Sequence, residues 1–202
     1  MPAGLKRLVL ALAVLGTGLQ LGAGLLFHAA GPIASVQTRL GWAHGPALLA
    51  LLLVLTVAGD LVAVQVRHGE EHEELTLFEA AVVIDVLLLP ASHALVVPVL
   101  ASLIGSAIRR REMVKTVFNA SNLAAATAVF VAVVHLFTPA TSGLTTRTVL
   151  ALVLGTLAFT GINLVALSRV YGLLGDDPPW QIVRDGARLS GVMAIGMVAL
   201  GG

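Results

Sequence analysis

The sequence predicts an all-α fold: a polytopic transmembrane helix bundle of about seven membrane segments, forming a single domain over residues 1–202. Three observations predict it. Hydrophobic residues make up 57% of the chain and charged residues only 11%, against about 25% charged in a soluble domain. The apolar residues lie in blocks comparable with the roughly 20 residues that a spanning helix needs. Stretches such as Leu48 to Leu55 are apolar on every face, unlike the apolar-polar alternation of a membrane β-strand. The chain has no cysteine, which removes disulfides, thiol catalysis and Cys-based metal sites.

Lys6 and Arg7 precede the first apolar run, Leu8 to Ala30. A charged start before an apolar run also fits a signal peptide, but this run exceeds the ~7–15 residues of a signal core. It is read as a retained first helix. Gly18 and Gly22 form a small-xxx-small pair suited to close helix packing. Gly31 to Gly45 is a polar connection with Trp42 at an interfacial position. The second helix starts at Pro46, a suitable first-turn residue, and runs to about Val66. Asp60 lies near its far end, where a snorkelling or capping carboxylate is the expectation.

Arg67 to Glu74 reads RHGEEHEE. His68 and His72 are spaced i, i+4, but Gly69 stands where a metalloprotease helix has glutamate, so the segment is read as an acidic solvated loop. Leu75 to Leu89 and Leu95 to Ile108 form a third and a fourth segment, both short, with Pro90, Ser92, His93 and Pro98 between or within them. They read as a thin hairpin of tilted helices or a re-entrant pair. Glu79 lies about one turn from the interface. Asp85 lies deeper, where a carboxylate is expensive and functional by default.

The fifth helix spans about Val117 to Phe137. Asn119 and Asn122 are i, i+3 and share one face; His135 falls near the far interface. The sixth runs from about Thr148 to Tyr171 with Asn163 deep inside it. Gly172 to Arg188 is polar, and Leu189 to Gly202 is a seventh apolar segment too short to cross. The expectation is that the chain stops inside its seventh helix and that a cytoplasmic output domain follows residue 202.

Between the fourth and fifth helices lies the elbow RRREMVKTVFNASN, from Arg109 to Asn122. Arg109, Arg110, Arg111 and Lys115 fix topology there. With the N-terminus inside, Lys6, Arg7, Arg67, the elbow's four cations, Arg169, Arg184 and Arg188 all fall on the cytoplasmic side. Only Arg39 and Arg147 fall outside. The bias follows the positive-inside rule, and it requires Leu75 to Ile108 to cross twice.

The segment from Leu75 to Asn122, with its short helical pair, basic elbow and Lys115-x-x-Phe118-Asn119-Ala120, resembles the N-terminal membrane domain of bacterial signalling proteins that carry GGDEF or HD-GYP cyclic-di-GMP output domains. Asn163 to Leu167 followed by Tyr171 to Arg188 is similar to a second block, and the resemblance covers roughly Leu75 to Leu200. It implies a sensor or input module in the bacterial inner membrane. No GGDEF, EAL or HD-GYP sequence occurs in the chain, so no catalytic residue carries over.

Two functions follow. One is a membrane input module that senses a ligand or the state of the bilayer and regulates a cytoplasmic output. The other is the membrane component of a small-solute or vitamin transporter, suggested by the broken third and fourth segments. Catalysis by this chain is not expected: Ser92 and His93 are sequence neighbours near a loop, and no Gly-x-Ser-x-Gly occurs. The ligand-binding candidates are Asp85, Asn119, Asn122 and Asn163, polar groups that lipid cannot satisfy and that should turn inward. No metal site and no cofactor are expected. The expected partners are the lipid bilayer, an unnamed small ligand and, as a candidate, a second copy of the chain; nucleic acid is not among them.

Overall fold

The structure, a computed structural model, describes residues 3–32, 46–68, 71–138 and 145–174, with the backbone alone for residues 63–68 and 71–76. In chain order the elements are α1 (Ala3–Leu26), α2 (Pro46–Leu61), β1 (Ala63–His68), β2 (Glu71–Thr76), α3 (Phe78–Leu88), α4 (Ala91–Ile108), α5 (Met113–Phe137) and α6 (Thr146–Leu174). Of the six described helices, α1, α4, α5 and α6 are long and apolar enough to cross a membrane. The count of about seven segments is therefore not met among the described residues. The seventh, Leu189 to Gly202, lies outside them.

Local chemistry sets the breaks. Leu89 precedes Pro90, whose ring disfavours the helical conformation in the residue before it; Leu89 is extended (φ −102°, ψ 152°) and ends α3. Pro90 then becomes the N-cap of α4, accepting the backbone N–H of Ala94 at 2.9 Å. Thr138, also before a proline, is extended in the same way at the end of α5 (φ −115°, ψ 112°). Thr145 caps α6 by accepting the N–H of Thr148 at 3.2 Å.

Three expectations change here. The third segment is short, as its sequence indicates: α3 has 11 residues, about 16 Å at 1.5 Å per residue. The fourth is not short. It starts at Ala91 and runs for 18 residues with Pro98 inside it, because neighbouring helices tolerate a proline at the expense of one ladder bond. The acidic segment is not a loop throughout. Residues 63–68 pair antiparallel with 71–76, from Ala63↔Thr76 to His68↔Glu71, so α2 ends at Leu61 and not at about Val66.

Helix α5 is the centre, packed against α1, α4 and α6, while α2 lies on α4 and α3 fills the corner between them. Lipid gives helices no hydrophobic drive to associate, so close approach of small residues has to hold them together. The run Ala124 to Ala128 of α5 is buried, as are Phe130, Val131 and Val134. Gly16 of α1 meets the backbone of Ser121, where a Cβ would collide. The expected pair Gly18 and Gly22 faces open space instead. Gly155 of α6 leaves room for the Phe130 ring, which meets Phe159 edge-on at 6.3 Å. The outer surface is apolar: Leu10, Val14, Leu25 and Leu26 of α1 are 67 to 78% exposed. Such a surface suits hydrocarbon and not water, and these are the helices of a membrane protein.

The bundle has two distinct ends. At one, Gly4 touches Leu173, Val9 packs with Phe118 and Ala166, and the elbow follows α4. At the other, Ala91 donates to the carbonyl of Ala30 at 3.2 Å and Phe27 stacks on His135 at 5.6 Å. Lys6, Arg7, Arg109, Arg110, Arg111, Lys115 and Arg169 thus belong to the first, basic end, and Arg147 to the other.

Candidate functional site

The basic elbow is a structured turn. Arg111 donates its N–H to Ser106 O at 2.9 Å and Arg110 to Ala107 O at 3.1 Å. These are the paired bonds of a Schellman motif, which places a left-handed residue just past the helix. Arg110 occupies that position with φ 50°, where glycine is usual. Arg109 does separate work: its guanidinium donates to the carbonyls of Asp60 (2.5 Å) and Leu61 (3.0 Å). It satisfies the end of α2 and meets the negative end of that helix dipole. Lys115 forms an exposed ion pair with Glu112 at 3.6 Å, a contact of little energetic weight.

The turn aims Arg111 toward a cleft of about 250 Å³ at the basic end, between α2, α3, α4, α5 and α6. Its polar lining is Asp60, Glu79, Ser102, Arg111 and the three asparagines Asn119, Asn122 and Asn163; aromatic rings, among them Phe118 and Phe159, form the walls. Asn122, only 6% exposed, donates its amide to Asn163 Oδ1 at 2.6 Å and leaves its own Oδ1 without a partner. Glu79 receives one long bond, from the Thr160 hydroxyl at 3.5 Å. Asp60 Oδ2 is buried and unpartnered. It lies against Gly105, where a Cβ would strike it, so the missing side chain on α4 is what seats this carboxylate.

Three of the four ligand-binding candidates, Asn119, Asn122 and Asn163, therefore line one cleft. Asp85 does not join them. It is 0% exposed and accepts the Thr56 hydroxyl at 2.9 Å, beside an otherwise apolar crevice between α2 and α3. Its Oδ1 has no partner. Asp60 and Glu79, expected near an interface, and Arg111, expected to fix topology, also line the cleft; the elbow's contact with the end of α2 is a tertiary feature that no local motif announces. Among the described residues no group of three or more His, Cys, Asp or Glu comes together to hold a metal ion. The cleft lining offers hydrogen-bond donors, acceptors and both signs of charge.

The chain matches no protein-family model, no curated protein and no solved structure.

Proposed function

We propose that the chain is an integral membrane input module of the bacterial inner membrane, which binds a small polar ligand at its basic, cytoplasmic end. The observation that carries this reading is the convergence of three asparagines, two carboxylates and an arginine on one cleft at that end. Beyond it, toward the opposite end, the bundle is filled by Phe130, Val131, Val134, Val86 and Ala94, all at most 1% exposed. A pocket closed on one side suits a receptor. The resemblance to sensor domains of cyclic-di-GMP signalling proteins agrees with it, as does the positive-inside rule, which assigns the basic end to the cytoplasm. A transporter remains the second reading, because short segments such as α3 line binding sites in transporters.

The absence of native cysteine makes single-cysteine labelling a clean test. In sealed vesicles, Asn163→Cys should react with a membrane-impermeant maleimide from the basic face alone. Reaction from both faces would replace the receptor with an alternating-access transporter. In intact cells Ser142→Cys, outside the described residues, should be labelled and Glu112→Cys should not; the opposite result reverses the orientation.

A further inference from the structure

The cleft's charges specify a class of ligand. Asp60, Glu79 and Arg111 line one cavity, yet none of them forms an ion pair among the described residues, where the ion pair is Lys115–Glu112 on the surface. Uncompensated charge in a bundle of apolar helices is costly. A bound ligand of matching charge would compensate it. Asp60 reinforces the point, because its Oδ2 is buried and unpartnered and Gly105 gives it the room it occupies. Asn122 reinforces it again: this buried side chain lines the cleft and leaves its carbonyl oxygen without a partner.

We infer that the cleft takes a dibasic zwitterion, a molecule with two cationic groups and one carboxylate, the chemistry of a dibasic α-amino acid. Asp60 and Glu79 receive the two cationic groups and Arg111 the carboxylate, for which its planar fork is suited. The asparagine amides supply the neutral donors and acceptors between them. A simple anion would meet two carboxylates, and a simple cation would leave Arg111 unanswered. The cavity of about 250 Å³ lies just below the ~300–1,000 Å³ typical of ligand pockets. That size fits an amino acid better than a nucleotide or a lipid. The inference rests on the reading of the cleft as a ligand pocket.

The test uses the full chain in detergent, with binding of L-lysine, L-ornithine and L-arginine measured by calorimetry. Two truncated forms of lysine then separate the charges: cadaverine lacks the carboxylate, and 6-aminohexanoate lacks the α-amino group. Lysine should bind roughly tenfold or more tightly than either, since each truncation strands a charged partner. Arg111→Gln should erase the preference over cadaverine, and one of Glu79→Gln and Asp60→Asn, whichever carboxylate meets the α-amino group, the preference over 6-aminohexanoate. The unvaried protein with the two analogues keeps the test decisive if either variant fails to fold. Failure of all three amino acids to bind, or equal binding of lysine and cadaverine, overturns the dibasic zwitterion. One-sided labelling of Asn163→Cys in sealed vesicles would then leave the pocket standing without this ligand, whereas loss of that labelling removes the pocket itself.

Discussion

Helix α5 passes through two regions built in opposite ways. From Ala124 to Val134 its neighbours close on it with small residues and interlocked rings, and Phe130 fills the space that Gly155 leaves. From Phe118 to Leu123 the same helix borders the cleft, where asparagines, carboxylates and Arg111 mix with aromatic rings and both Asp60 Oδ2 and Asn122 Oδ1 go unused. Both regions bury polar groups, but with different company. Asp85, near the closed region, meets one hydroxyl in apolar surroundings, while Asn122 meets Asn163 beside carboxylates and a guanidinium. A polar residue in an apolar helix is thus structural or functional according to what the other helices bring to it.

The largest effect should come from filling the closed region. Gly155→Leu drives a side chain into Phe130, and overpacking of this kind costs about 1–3 kcal/mol. Gly161→Leu, on the same helix with nothing near it, should stay within about 0.5 kcal/mol. Denaturant titration of the two variants in micelles measures the contrast. Equal losses would mean that α6 is not seated on Phe130, and the division of α5 into two regions would fail.

A second effect, of comparable size, separates Asp85 from the cleft. Thr56→Val removes the one partner of a fully buried carboxyl group, and stranding such a group costs about 1–3 kcal/mol. Asp85→Leu removes the stranded atoms, and in the wild-type background it leaves Thr56 bonded to the Leu52 carbonyl at 2.8 Å. The double variant should therefore be more stable than Thr56→Val alone. Labelling of Asn163→Cys should be unchanged in all three backgrounds. A double variant no better than the single would show that Thr56 acts through packing, and altered labelling would tie Asp85 to the cleft after all.

How far the sequence reads through to this arrangement depends on whether a signal is local. Six helices are legible from hydropathy, and the break between α3 and α4 from Pro90. The strands at 63–68 and 71–76 were not, because a dense run of glutamates suggests solvation. The hairpin signal was two residues, Gly69 and Glu70, between partners that pair antiparallel. Asn119 and Asn122 announce themselves by spacing on one helix. Their companions do not: Asp60, Glu79 and Arg111 come from three other parts of the chain, and only tertiary packing brings them to one cavity. Gly105 is the extreme case, since its contribution is the absence of a side chain beside Asp60. The pairing of Gly16 with Ser121 was missed for a like reason, as the motif Gly18/Gly22 is visible along α1 but only the crossing point decides which glycine is used.

The smallest effect concerns the turn that joins the two regions' scaffold to the cleft. Arg110 holds φ 50°, a conformation that costs an L-residue with a side chain roughly 1–2 kcal/mol and glycine almost nothing. Arg110→Gly relieves that cost but gives the unfolded chain more freedom, worth about 0.4–1 kcal/mol in the other direction. The net expectation is a gain of about 0.5 kcal/mol. Arg110→Val should go the other way, because a β-branched side chain crowds the backbone most at positive φ. Both variants retain Arg109 on the α2 carbonyls and Arg111 in the cleft, so both should keep the same membrane orientation. If Arg110→Gly instead loses as much stability as Arg110→Val, the guanidinium of Arg110 makes a contact that outweighs the strain, and the elbow would be a binding surface as well as a turn.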